Sequence, residues 1–181
     1  MKLMFASDIH GSLFYCRQLL EAFEAEKADK LILLGDLLYH GPRNPLPEEY
    51  APAQVAEMLN QKKEYILAVQ GNCDSAVDQM VLEFSISATN LLLFLDQKTV
   101  FVTHGHIFSP ETPPQLQNGD ILINGHFHIG EITPKEHYIY MNPGSVSLPK
   151  NKFRGYLLYE SGSFLLKTLQ GEIYTEYKIN E

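Results

Sequence analysis

Short apolar runs alternate with amphipathic stretches through the N-terminal half of the chain. Leu3 to Ser7 is an apolar run that stops at Asp8, as a buried strand does. Ser12 then opens a helical pattern in which Phe14, Cys16, Leu19, Leu20 and Phe23 fall near one face and charges on the other. Leu31 to Leu34 reads as a second buried strand, closed by Gly35-Asp36. Ala51 to Gln61 predicts a helix with Pro52 in its first turn and Val55, Met58 and Leu59 facing inward. Tyr65 to Val69 is a third strand, and it runs into Gly71-Asn72-Cys73-Asp74.

The second half changes to strands joined by short turns. Leu91 to Leu95, Thr99 to Thr103, Ile121 to Asn124 and Tyr138 to Met141 carry strand patterns. So do Tyr156 to Tyr159, Phe164 to Leu169 and Ile173 to Tyr177. Helix is scarce here, with one or two turns expected over Pro113 to Asn118. The proline-rich stretch from Pro42 to Pro52 reads as an ordered excursion, because regular elements resume at once. No repeat, low-complexity tract or boundary interrupts the chain, so a single domain over residues 1–181 is expected. The pattern predicts an α/β protein with two sheets packed face to face and helices outside.

Net charge changes the picture of partners. The formal charge is −8 and no Lys/Arg cluster offsets it, which disfavours binding to an extended nucleic acid. A small phosphorylated substrate is compatible with that charge, because bound cations reverse the field locally. Cys16 and Cys73 lie far apart and form neither a disulfide framework nor a zinc knuckle. The first residues are too short for a signal-peptide core, and Leu91 to Leu95 is far too short to span a bilayer. A cytoplasmic protein without a membrane partner is the expectation. Pairing of edge strands between subunits would make a homo-oligomer.

The candidate chemistry sits where strands end. Asp8, Asp36, Asn72, His104 and His126 each follow a predicted strand, the place where ligands gather in α/β folds. The segments are Asp8-Ile9-His10, Gly35-Asp36, Gly71-Asn72, His104-Gly105-His106 and Gly125-His126-Phe127-His128. Each alone has a plain structural explanation: an N-cap, a turn, or an incidental histidine pair. Five of them in this order, all at strand ends, point instead to a metal centre. Carboxylates with imidazoles suit Mn, Fe, Zn, Co or Ni, and the lack of thiolate pairs argues against structural zinc.

The order DxH, GD, GN, HGH and GHxH resembles the calcineurin-like metallophosphoesterase superfamily. The short chain, the Gly71-Asn72-Cys73-Asp74 form of the third motif and Asn142-Pro143-Gly144-Ser145 are similar to its small YfcE-type phosphodiesterases. The resemblance implies a four-layer α-β-β-α sandwich holding two divalent metal ions. Asp8, His10, Asp36 and His128 would hold one, and Asp36 as the bridge, with Asn72, His104 and His126, the other. Mn²⁺ is the favoured ion, with Zn²⁺, Fe²⁺, Co²⁺ and Ni²⁺ as alternatives. The implied reaction is hydrolysis of a small phosphate diester by a metal-bridging hydroxide.

One position departs from the family. Many members have a histidine after the Gly-Asn pair that protonates the leaving oxygen, and here it is Cys73. A thiol of ordinary pKa is a poor substitute, so good leaving groups are expected to be preferred, or His106 or a metal-bound water recruited. Asp36, Asn72, Cys73 and His106 are thus the catalytic candidates, and Arg43 and Cys73 the substrate-binding ones. Lys152 and Arg154 are weaker phosphate candidates. Asp74 is expected either to orient a ligand histidine or to serve a turn. The competing reading is a non-catalytic protein-binding scaffold of the same fold, as in the retromer subunit. The metallo-β-lactamase group resembles an HxHxDH pattern, which this chain lacks.

Overall fold

The computed structural model describes residues 1–179. β1 (Lys2–Ala6) is the keystone of the first sheet, parallel to β2 (Lys30–Leu33), which is in turn parallel to β3 (Ile66–Ala68). On its other side β1 pairs antiparallel with β9 (Gly155–Glu160), followed by β10 (Ser163–Thr168) and β11 (Ile173–Lys178) at the edge. The second sheet contains β4 (Asn90–Leu95), β5 (Lys98–Thr103), β6 (Asp120–Ile123), β7 (Gly130–Pro134) and β8 (Tyr138–Pro143). Its spatial order is β4-β5-β6-β8-β7, with β5, β6 and β8 mutually parallel.

The two-residue period of a strand divides each central strand between two cores. Leu3 and Phe5 of β1, Ile32 of β2 and Leu157 and Tyr159 of β9 face the second sheet, against Val100, Val102, Ile121 and Ile123. Met4 and Ala6, Leu31 and Leu33, and Tyr156 and Leu158 face the other way, under the helices. Strands buried on both faces read as unbroken apolar runs, which is why β1 and β2 were legible.

Helix α1 (Leu13–Glu26) starts at Ser12, whose hydroxyl accepts from the Tyr15 N–H. It ends at Lys27 in the left-handed conformation. α1 and α2 (Pro52–Asn60) place Leu19, Leu20, Phe23, Val55 and Leu59 on the first sheet. Phe14, expected on the buried face of α1, is only half-buried beside Tyr15.

The layered α/β sandwich expected from the sequence is therefore what the chain adopts, with three local differences. Pro113 to Asn118 forms no helix; coil brings Leu116 against the cluster of Leu122, Tyr138 and Tyr140 on the second sheet. Two prolines leave too few amide donors to close a helical turn there. A third helix, α3 (Ala76–Val81), was not anticipated because it buries none of its residues and so carries no apolar period. Its signal is the capping box of Ser75 and Asp78. β7, also unanticipated, is an edge strand with only Ile132 packed inward. Among the described residues no helix is long and apolar enough to cross a membrane.

Candidate metal centre

The parallel strands β1, β2, β3, β5 and β6 all release their chains at the same end of the sandwich. Asp8 and His10 follow β1, Asp36 follows β2, Asn72 follows β3, His104 follows β5, and His126 and His128 follow β6. Both sheets thus supply side chains to one point, as the strand-end rule anticipates.

The backbone there is bent into an uncommon form. Asp8, His10, Asp36, His126 and His128 all have left-handed φ, between 51° and 63°. Such φ costs of order 1–3 kcal/mol per non-glycine residue and persists only where surroundings hold it. The surroundings are visible. The Asp8 and His10 N–H groups donate to the Gly35 and Asp36 carbonyls at 3.1 and 2.9 Å. The Ser145 and Ser147 hydroxyls both donate to the Asp8 carbonyl, at 2.7 and 3.1 Å. The Asp74 carboxylate accepts three backbone N–H groups, from Asp36, Leu37 and Gly71, at 2.9, 2.9 and 2.7 Å. Asp74 therefore closes its own turn through the Gly71 N–H, as one of the two expectations had it, and also ties the second motif to the third; its partners are backbone N–H groups rather than a histidine.

Gly71 explains why this joint needs glycine. A Cβ there would stand 2.1 Å from Asp36 Oδ1 and 2.3 Å from the Asp36 nitrogen. The carboxylate could turn aside only by leaving the site, and the backbone nitrogen could not yield at all.

Ring orientation follows from the acceptors outside the cluster. His10 Nδ1 lies 2.8 Å from the Tyr39 carbonyl, His104 Nδ1 2.6 Å from Leu34, and His128 Nδ1 2.7 Å from Leu148. A carbonyl only accepts, so each Nδ1 carries the proton and each Nε2 of a neutral ring presents a lone pair inward. Nε2 of His10 and His128 face each other at 3.1 Å. Asp8 Oδ1 lies 3.2 Å from the His128 nitrogen and 3.6 Å from that of His10. That oxygen is buried with no hydrogen-bond partner. Lone pairs and an orphaned carboxylate oxygen converge on one place, and a cation is what such a place accommodates.

A second group stands beside the first. His104 Nε2 lies 3.0 Å from Asn72 Oδ1, 3.2 Å from His126 Nδ1 and 3.5 Å from Asp36 Oδ1. The other Asp36 oxygen, Oδ2, lies 3.8 Å from His10 Nε2. One carboxylate thus offers an oxygen to each group. The donor sets, carboxylate oxygens with imidazole nitrogens and an amide oxygen, suit divalent cations.

Electrostatics point the same way. Burial alone would raise the Asp8 carboxyl, but His10, His128 and His104 pull it well below the usual range. Burial opposes charge on His10, yet Asp8 and Asp36 raise its pKa. His126, facing His104, is pushed down by burial first and then by that neighbour. The Asp8 carboxyl is thus held ionised, the form in which it would serve a cation.

Outside this cluster the predicted residues divide. Cys73 borders it, its N–H donating to Asp36 Oδ1 at 2.8 Å and its thiol accepting from the Asn72 amide at 3.3 Å. Burial, with the Asp36 carboxylate next, pushes that thiol up to about 12. His106 is exposed, its ring centre 5.4 Å from that of His104. Arg43 lines a cleft of about 360 Å³ over the cluster, shared with Asn44, Asn72, His126, Phe127 and Lys150. Arg154 is elsewhere: its guanidinium stacks on Tyr15 at 4.0 Å and donates to the Ser147 carbonyl. Lys152 is absent from the cleft lining. Lys150 was missed by the sequence reading, which passed over it for its neighbours. Its N–H donates to the His128 carbonyl at 2.8 Å, so it travels with a site residue.

Comparison with known proteins identifies the family of the chain. A family model for the calcineurin-like phosphoesterase superfamily domain matches residues 1–163. Phosphodiesterase YfcE of Escherichia coli strain K12 is 52% identical over 150 residues, covering 83% of this chain and 82% of that one. The solved structure of YfcE, described as a phosphoesterase from E. coli, superposes with a TM-score of 0.95 at 45% identity, covering 99% of this chain and all of that one. Vacuolar protein sorting 29 from Cryptosporidium parvum shares the fold alone, with a TM-score of 0.58 at 14% identity over 98% of this chain and 97% of that one.

Proposed function

The chain belongs to the calcineurin-like phosphoesterase superfamily, and on that premise we propose that it is a metal-dependent phosphodiesterase working at a dinuclear centre. The observation that carries the reading is Asp36, which turns one oxygen toward each of two facing groups of nitrogen and oxygen donors. Asp8, His10, Asp36 and His128 would hold one ion. Asp36, Asn72, His104 and His126 would hold the other. Mn²⁺ is the ion we favour, with Zn²⁺, Fe²⁺, Co²⁺ and Ni²⁺ as alternatives. When bound, two such cations supply a water of lowered pKa as the nucleophile and draw charge off the phosphoryl oxygens.

The chain's own groups do the rest. Arg43 and Lys150 offer positive charge to a phosphate in the cleft. Cys73 occupies the position from which relatives with histidine protonate the leaving oxygen, and a thiol pushed up to about 12 is a poor donor there. Diesters with good leaving groups are accordingly the preferred class, in keeping with the name phosphodiesterase carried by the E. coli relative. A protein-binding scaffold is the alternative, but a complete set of converging donors favours catalysis.

The test is hydrolysis of bis-p-nitrophenyl phosphate by protein stripped with EDTA, before and after Mn²⁺ is added. Activity should return with metal, vanish in Asp36→Asn and exceed that on p-nitrophenyl phosphate. Folded protein that stays inactive with every divalent ion would overturn the enzyme reading in favour of the scaffold.

A further inference from the structure

A second and larger cavity opens next to the metal cleft. It measures about 910 Å³ and runs between α2 and α3. Ala53 and Ala56 form one wall, Val77 and Val81 the other, and Tyr39 and Tyr50 line it as well. Volume and apolar lining are those of a small-molecule site.

Two facts join this groove to the proposed centre. Cys73 lines both cavities, so the two meet at that side chain. Tyr39 lines the groove, and its carbonyl fixes the ring of His10. The charges of the two are opposite in kind. The cleft holds Arg43 and Lys150. The groove has no lysine or arginine in its lining and carries Glu57, Asp78 and Glu83, the last of them paired with Lys63 outside the groove. An anionic substituent would be repelled from it.

The exposed apolar residues fit this arrangement. Val77 and Val81 stand one helical turn apart, 67% and 50% exposed, on a helix that buries none of its residues. Both valines line the groove, whereas Met80, 83% exposed on the same helix, does not.

We propose that this groove is the subsite for one ester arm of the substrate, and that the arm is an uncharged aryl or alkyl group. The proposal rests on the phosphodiester reading and names its substrate class: a diester with one anionic phosphate and an apolar arm without further phosphates.

Calorimetric titration of the Mn²⁺-loaded protein with methylphosphonate and benzylphosphonate tests this without turnover. Both offer the same anionic head, and only the second has an arm for the groove. Benzylphosphonate should bind roughly tenfold or more tightly, the usual scale for burying an aromatic ring. In Ala53→Trp, which fills the groove from exposed helix surface, that preference should collapse toward one while methylphosphonate binding stays unchanged. Val81→Asp, on the opposite wall, should act the same way and serves if the first variant does not fold. Equal affinity in the wild type, or a preference that survives both substitutions, overturns the subsite alone. Failure of either phosphonate to bind overturns the subsite alone where the Mn²⁺-loaded protein still hydrolyses bis-p-nitrophenyl phosphate, and the phosphodiester reading with it where it does not. A groove that instead seats a second copy would show as loss of an oligomer in light scattering by the variants, with the affinity ratio unmoved.

Discussion

On the floor of the cleft, Asp8, Asp36 and His128 are buried, and the backbone beneath them is fixed by Asp74, Ser145 and Ser147. On the rim, Arg43, His106 and Lys150 are exposed. The floor is where strain is held, since five of the ten non-glycine residues with positive φ among the described residues are proposed ligands. The rim carries charge with little that fixes it. Geometry that must survive to bind a cation is built from backbone bonds, whereas geometry that only has to greet a substrate is left to long side chains.

The sharpest way to break this comparison is at the joint between the second and third motifs. Gly71→Ala forces a Cβ onto the backbone and carboxylate of Asp36. It should abolish metal binding, as read by metal analysis of purified protein, and lower the melting temperature. Next in size is Asp74→Ala, which orphans three backbone donors, each costing about 1–3 kcal/mol when buried. Metal affinity should fall about 10–100-fold, the range for groups that orient ligands. If Asp74→Ala melts and binds like the wild type, the floor is not held as described.

Rim substitutions should behave differently in kind. Arg43→Ala and Lys150→Ala are expected to leave the melting curve within about 0.5 kcal/mol of wild type. Each should lower kcat/KM for the diester, and the loss should shrink as salt is raised, because the contacts are exposed. Metal loss in either variant would erase the distinction between floor and rim.

The smallest effect belongs to Cys73, on the border. Burial and the neighbouring carboxylates raise its pKa above the ordinary value, which favours the neutral thiol in the fold. In metal-free protein, alkylation by iodoacetamide should therefore stay slow at pH 8 and accelerate only as the pH climbs toward about 12. Cys73→Ala should slow alkyl and aryl esters to the same slight degree. A much larger loss on alkyl esters would make the thiol the acid after all.

The same division separates what was legible in the sequence from what was not. Asp8, Asp36 and His104 were readable because each ends an apolar run, and β1 and β2 are apolar on both faces. The partners that aim the rings were not, because the carbonyls of Tyr39, Leu34 and Leu148 have no letter of their own. Asp74 is readable as a turn residue, but its tie to the second motif is not, since the Asp36 and Leu37 N–H groups reach it only on folding. Lys150 was overlooked for Lys152 and Arg154, although only Lys150 is tied to His128. Helix α3 escaped because its valines face a cavity rather than a core.

The two sheets are hydrogen-bonded as separate ladders, with the apolar layer of Leu3, Phe5, Val100 and Ile121 between them. Asp8, His10, Asp36 and Asn72 come from strand ends of one sheet, and His104, His126 and His128 from the other. A cation held there would act as the clasp of a book, fastening two covers at the ends of their strands. Its grip would add to stability in proportion to the logarithm of its free concentration over its dissociation constant. Starving such a protein of metal would then idle its chemistry and loosen its covers together, and leave it easier to digest.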